Sequence, residues 1–168
     1  MDFRVFLLAV SAITVGLVEL VVGGILPVVA DDLNVSIATA GQLITVFALV
    51  YAIAGPVLLS LTAKVERKKL YLIALGVFFI GNVLTYFSPS FGLIMAARVL
   101  TAASAALVIV LSLTITARLV EPKYRAKALG YIYMGISSSL VLGVPIGIVV
   151  TNAFGWRSVF LGIAILTI

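Results

Sequence analysis

The chain has 168 residues, of which 64% are hydrophobic and only 10% charged, with a formal charge of +5 and a mean hydropathy of +1.34. Soluble domains are about 45–50% apolar, so a water-soluble fold is excluded, and charges confined to the gaps between long apolar runs exclude a nucleic-acid-binding surface. With neither Cys nor His, disulfide frameworks, thiol nucleophiles, the usual zinc sites and imidazole acid–base chemistry go too, and most hydrolytic enzymes with them; no metal and no cofactor is expected.

A helix that crosses a bilayer needs about 20 apolar residues, and the Lys/Arg clusters and turn residues cut the sequence into pieces of that size. The first span is predicted over 5–29. Its start resembles the n-region of a signal peptide, but the apolar run from Leu7 to Val29 is too long and Glu19 interrupts it, so it is read as a retained span. An acidic turn from Ala30 to Ser36 leads to the second span, 38–61, which ends at the basic loop Lys64-Val65-Glu66-Arg67-Lys68-Lys69. The third span, 70–87, is stopped by Ser88-Pro89-Ser90, because proline cannot donate the next helical hydrogen bond. A fourth covers 91–117, and after a loop from Arg118 to Lys127 a fifth covers 128–151. Beyond Asn152 to Arg157 a sixth begins, and 158–168 gives it about half a span. The expectation is an all-α membrane protein, one transmembrane domain over 1–168, with its sixth helix truncated and the chain a fragment of a longer protein.

Cytoplasmic loops carry an excess of Lys and Arg. Arg4, Lys64, Arg67, Lys68, Lys69, Arg118, Lys123, Arg125 and Lys127 all fall on one side of this division, against Arg157, Asp31 and Asp32 on the other. The N-terminus is therefore expected in the cytoplasm of a multi-pass protein. Tyr86, Phe87, Phe91, Phe154 and Trp156 gather at the opposite boundary, where amphipathic rings prefer to lie. No loop is longer than about ten residues, so function is expected among the helices.

Two charges lie well inside predicted spans, Glu19 and Arg98. A charge at the bilayer centre costs about 2.5–3.5 kcal/mol on insertion scales, so such residues face a cavity or pair with one another. Counted from the outer ends, their depths differ by only ~5 Å at the helical rise, which makes a meeting between them possible. One reading makes Glu19 a protonatable carboxylate coupled to Arg98; the other is a static ion pair that orients two helices. Gly130, Gly135, Ser137, Ser138, Ser139, Gly143, Pro145 and Gly147 crowd the fifth span, and Gly16, Gly23, Gly24 and Pro27 the first. Small residues allow close helix approach, and proline bends a helix and frees a carbonyl. Gln42, Thr101 and Tyr131 are candidates to line a solute path, although such polar groups also bond between helices or to their own backbone.

These features together resemble the N-terminal half of a major facilitator superfamily transporter over the whole chain. The sequence is similar to the drug:proton antiporter branch with twelve spans, and within it Val18-Glu19-Leu20-Val21-Val22-Gly23-Gly24-Ile25-Leu26-Pro27 and Leu61-Thr62-Ala63-Lys64-Val65-Glu66-Arg67-Lys68 are most similar to bacterial purine efflux pumps. The superfamily's loop motif, G-x-L-a-D-R-x-G-R-R/K, falls on Leu59 to Lys68. Leu61 and the gating-loop residues Lys64, Arg67 and Lys68 match, whereas Ala63 and Glu66 replace Asp and Gly, so the usual charge lock is missing unless Glu66 substitutes for it. Arg98 matches the fourth-span R-x-x-q-G pattern, with Thr101 and Ala102 in place of Gln and Gly; Gly143, Pro145 and Gly147 match the antiporter motif, and Gly155-Trp156-Arg157 resembles the turn before the sixth helix.

The resemblance implies a three-plus-three inverted repeat in which the first and fourth spans line a central path, with Glu19 and Arg98 on corresponding helices. It implies proton-coupled efflux of purine bases, nucleosides or similar small solutes by alternating access in a bacterial inner membrane. The implied partners are the lipid bilayer, protons, a small-molecule substrate and a C-terminal half or second copy, and no nucleic acid. Multidrug or sugar efflux on the same fold, or a non-transporting half-size interaction module, are the alternatives.

Overall fold

The computed structural model describes residues 3–168, all of it helix joined by short turns. The helices are α1 (Phe3–Asp32), α2 (Ile37–Leu61), α3 (Arg67–Phe87), α4 (Phe91–Leu119), α5 (Pro122–Phe154) and α6 (Trp156–Leu166). The first five are long and apolar enough to cross a membrane; α6 has 11 residues.

Several helices overrun the predicted spans, α5 furthest. Pro122 stands at the first position of α5, where a missing N–H costs nothing and the fixed φ favours helix. The expected loop from Arg118 to Lys127 thus shrinks to Val120 and Glu121, and the basic residues Lys123, Arg125 and Lys127 ride on the first turns of α5. Helix α3 likewise begins at Arg67 rather than Leu70, and α1 runs on to Asp32. Asn34, at φ 51°, reverses the chain after α1, and Ser36 caps α2 by accepting a 3.0 Å hydrogen bond from the Thr39 N–H. Gly155 alone separates α5 from α6, at φ 84°, a conformation that needs no Cβ.

Helix α1 packs most extensively on α5, and α4 on both α2 and α3. Shifting every helix number by three converts the α1·α5 contact into the α4·α2 contact, the relation expected of two interlocked three-helix repeats. In lipid the apolar effect does not hold helices together, and close packing must. The α1–α5 seam shows how. A Cβ on Gly135 would stand 2.9 Å from the Ala9 carbonyl oxygen, one on Gly24 2.8 Å from the Val144 side chain, and one on Gly147 3.2 Å from Val21. The α5 glycines Gly143 and Gly147 are therefore packing positions against Leu17, Leu20 and Val21 of α1, while Pro145 is exposed within an unbroken helix.

At the end opposite the basic loops, Arg157 donates to Asp32 Oδ2 at 2.6 Å and to the Ser88 carbonyl at 3.3 Å, and the Trp156 indole N–H donates to the same Asp32 oxygen at 3.2 Å. The guanidinium also lies 4.3 Å from the Trp156 ring centroid. One residue thus ties the end of α1, the α3–α4 turn and the start of α6. Trp156 is buried there, unlike the exposed Phe87 and Phe154 expected at the same boundary.

Candidate functional site

Helix α1 has three faces, set by the 100° rotation per residue. Gly16, Leu17, Leu20, Val21 and Gly24 meet α5. Val15, Val18, Val22, Ile25 and Val29 are buried in the bundle. The remaining strip, Glu19, Gly23 and Pro27, repeats every fourth residue and is exposed along its length. A carboxylate in mid-span is costly to present to lipid, and Glu19 stands on this open strip.

Arg98 reaches α1 beside that strip, from the inside. It is 1% exposed, Nη1 donates to the Val18 carbonyl at 3.1 Å, and its Cζ lies 4.2 Å from the Phe47 ring centroid of α2. Nε and Nη2 have no hydrogen-bond partner. Glu19 and Arg98 do not form an ion pair: among the described residues the one pair within 4.0 Å is Arg157 with Asp32. The separation of Glu19 from Arg98 has a simple origin, since Val18 and Glu19 are adjacent in sequence but point about 100° apart on the helix. The guanidinium is held by the backbone of one while the carboxylate of the other faces the open side. The static-pair reading therefore loses its direct contact.

The remaining candidates divide. Gln42 is exposed on α2. Thr101 is buried against α3, where its methyl fills the space over Gly81, and its hydroxyl is spent on the carbonyls of Ala97 and Arg98 at 3.0 and 3.1 Å. Its donor is engaged and it is 1% exposed. Tyr131 is half-buried near the basic end, lining a cavity of about 380 Å³ with Val5, Leu119, Tyr124 and Lys127, remote from Glu19 in the chain's length. At the gating loop, Lys64 and Lys68 are exposed, and Arg67 Nη1 is buried without a partner. Glu66 occupies the N-cap of α3 but makes no capping bond and no ion pair, so it does not replace the missing lock. Sequence reasoning missed the Asp32–Trp156–Arg157 cluster, which had a signal, opposite charges at one end of the bundle. Among the described residues no group of three acidic, His or Cys side chains is placed to hold a metal ion.

The model of the family described as Major Facilitator Superfamily matches residues 8–168. The chain is 43% identical over 164 residues to the MFS-type transporter YbcL of Bacillus subtilis (strain 168), covering 98% of this chain and 42% of that protein. It is 37% identical to YtbD of the same organism, covering 92% of this chain and 39% of that protein, and 28% identical to YfhI, covering 94% and 40%. It thus spans about two fifths of the length of the relatives it matches. In fold it is similar to a bacterial homolog of the human lysosomal transporter Spinster, solved in an inward-facing, unoccupied conformation, with TM-score 0.84 and 19% identity over 98% of this chain and 41% of that one.

Proposed function

The chain belongs to the Major Facilitator Superfamily and has the fold of its N-terminal half, and from that premise we propose that it carries the proton-coupling site of a secondary active transporter. The protein exports purine bases, nucleosides or similar small solutes by alternating access, with a C-terminal half or a second copy closing the path, in a bacterial inner membrane with the basic end cytoplasmic.

One observation carries this reading: a mid-span carboxylate, Glu19, lies on the open strip of α1 with no ion pair, one residue from the carbonyl that holds Arg98. A proton arriving from the far side neutralises Glu19 and removes the negative charge next in sequence to the carbonyl that anchors Arg98. The Val18 carbonyl remains the anchor of Arg98, so the change is one of field and not of broken contacts, and it biases the tilt of α1 relative to α4 and α2. The glycine-packed α1–α5 seam carries that bias through the half-bundle as one body. Release of the proton on the basic side resets it.

The test is pH-driven purine flux in proteoliposomes of the full-length protein. Glu19→Gln, isosteric and without a contact to lose, should abolish the response to a pH gradient while the protein still folds. Undiminished flux in that variant would remove the coupling role.

A further inference from the structure

The cavity of about 380 Å³ at the basic end lies where the end of α4, the first turns of α5 and the start of α1 meet. Its volume falls within the ~300–1,000 Å³ of small-molecule sites. Glu121, Tyr124, Lys127 and Tyr131 recur every third or fourth residue, which puts them on one strip at the start of α5, and all four line the cavity. Val5 of α1 and Leu119 of α4 give it apolar walls. None of the four side chains hydrogen-bonds or ion-pairs with another described residue, and Glu121, at the N-cap of α5, makes no capping bond. The one neighbouring group is the Lys123 ammonium, 5.6 Å from the Tyr124 ring centroid. Along α1, Val5 and Glu19 are about 21 Å apart by helical rise, so the cavity is a place separate from the mid-span carboxylate.

We infer that this cavity is a loading subsite, where an uncharged, planar heteroaromatic base of purine size is taken from the cytoplasm before it enters the path between the helices. Two phenol rings offer π-faces, the Glu121 carboxylate accepts from a ring or exocyclic N–H, and the Lys127 ammonium donates to a ring nitrogen or carbonyl. A purine presents a face, donors and acceptors together. A sugar has no π-face, and an anionic solute meets the negative charge of Glu121. A phospholipid headgroup can use the two charges but has no ring to set against Tyr124 and Tyr131. Stacking on aromatic side chains tolerates any base, so the subsite gathers bases as a class and leaves finer selection to the path. This assignment rests on the proposed export function and adds the place where the solute is loaded.

The test is photolabelling of the purified full-length protein with 8-azidoadenine, followed by peptide mapping by mass spectrometry. An adduct should fall within residues 119–131 and disappear in excess adenine. Tyr124→Leu and Tyr131→Leu each keep an apolar side chain and remove a π-face, and each should weaken adenine binding in equilibrium dialysis by about fivefold or more, the worth of one stacking contact. Tyr124 is 52% exposed, so its variant is expected to fold, which its melting temperature will report. Adducts found only elsewhere, or adenine binding unchanged in both variants, overturns the subsite. So does a cavity held by lipid, which would show as no adduct and a melting temperature raised by phosphatidylethanolamine in nanodiscs of the parent but not of Tyr131→Leu. The binding readout involves no proton, so the two readings fail separately. Loss of pH-driven flux in Glu19→Gln together with an unlabelled cavity sinks the subsite and leaves transport standing, and a labelled cavity in a parent without purine flux does the reverse.

Discussion

Gly135→Ala tests whether backbone proximity holds α1 to α5. The added methyl would lie 2.9 Å from the carbonyl oxygen of Ala9 and 3.1 Å from Ile13 Cγ1. A carbon–oxygen contact ordinarily sits at about 3.3–3.6 Å, so the helices must separate by roughly 0.5 Å, and the obstacle is backbone that cannot rotate away. Overpacking of this kind costs about 1–3 kcal/mol, offset by the ~0.5–1 kcal/mol that alanine gains over glycine inside a helix. The net is a destabilisation of about 0.5–2 kcal/mol. Gly130, earlier in the same helix, has nothing within 4 Å of a Cβ, so Gly130→Ala keeps only the favourable part and should stabilise by ~0.5–1 kcal/mol. The two substitutions are chemically identical and opposite in sign. Equilibrium unfolding of the full-length protein in mixed detergent micelles, followed by circular dichroism, measures both. A Gly135→Ala protein as stable as its parent, or less affected than Gly130→Ala, would refute the claim that this seam is held by contact rather than by composition.

Three further outcomes follow from the same geometry. Arg98→Met removes a buried guanidinium that has one hydrogen bond and two unpartnered nitrogens; stability should be unchanged or higher by ~1 kcal/mol or more while pH-driven flux is lost, and a fall of more than ~2 kcal/mol in detergent unfolding would show that Arg98 is kept for structure. Glu66→Asp shortens an N-cap side chain that makes no capping bond, and should stabilise α3 by about 0.5–1 kcal/mol; an unchanged melting temperature contradicts the cap assignment. Asp32→Ala breaks a partly exposed ion pair to Arg157 and the bond to Trp156, costing up to about 1 kcal/mol at low salt and less in 1 M NaCl, and a penalty indifferent to salt would mean that the ionic part contributes nothing.

Most of the helical framework was legible in the sequence because its signals are one-dimensional. Apolar runs of span length, proline at 89 and the alternation of basic and acidic gaps each fix a position along the chain, and five of the helices lie where those signals place them. The charged stretch from Arg118 to Lys127 reads as a loop, whereas Pro122 already occupies the first position of α5. The candidate site was legible only in depth. Glu19 and Arg98 are at similar depth, but contact depends on rotation about the helix axis, and one residue of offset sends the guanidinium to the Val18 carbonyl. Thr101 failed as a path residue for the same reason: three positions beyond Arg98 it has turned toward Gly81 of α3. Rotation was partly recoverable. The small residues Gly16 and Gly24 mark the face of α1 that meets α5, valines at 15, 18, 22 and 29 mark the interior, and what is left is the strip that carries Glu19, Gly23 and Pro27.

That division of α1 also explains how a transporter half can keep a charge in mid-span without sacrificing stability. A buried ion pair needs good geometry on both partners to recover the cost of desolvating two charges. Here the two requirements are separated. Arg98 is satisfied in part by a backbone carbonyl and an aromatic face, neither of which titrates, and Glu19 stays on the open strip of α1. Among the described residues no ion pair or side-chain hydrogen bond depends on the Glu19 carboxylate. The coupling we propose therefore runs through the field of Glu19 at the neighbouring helices rather than through a packed contact. A coupling of that kind is weakened by screening and strengthened by a dry path, so its strength is set by how closely the rest of the transporter covers the strip on α1.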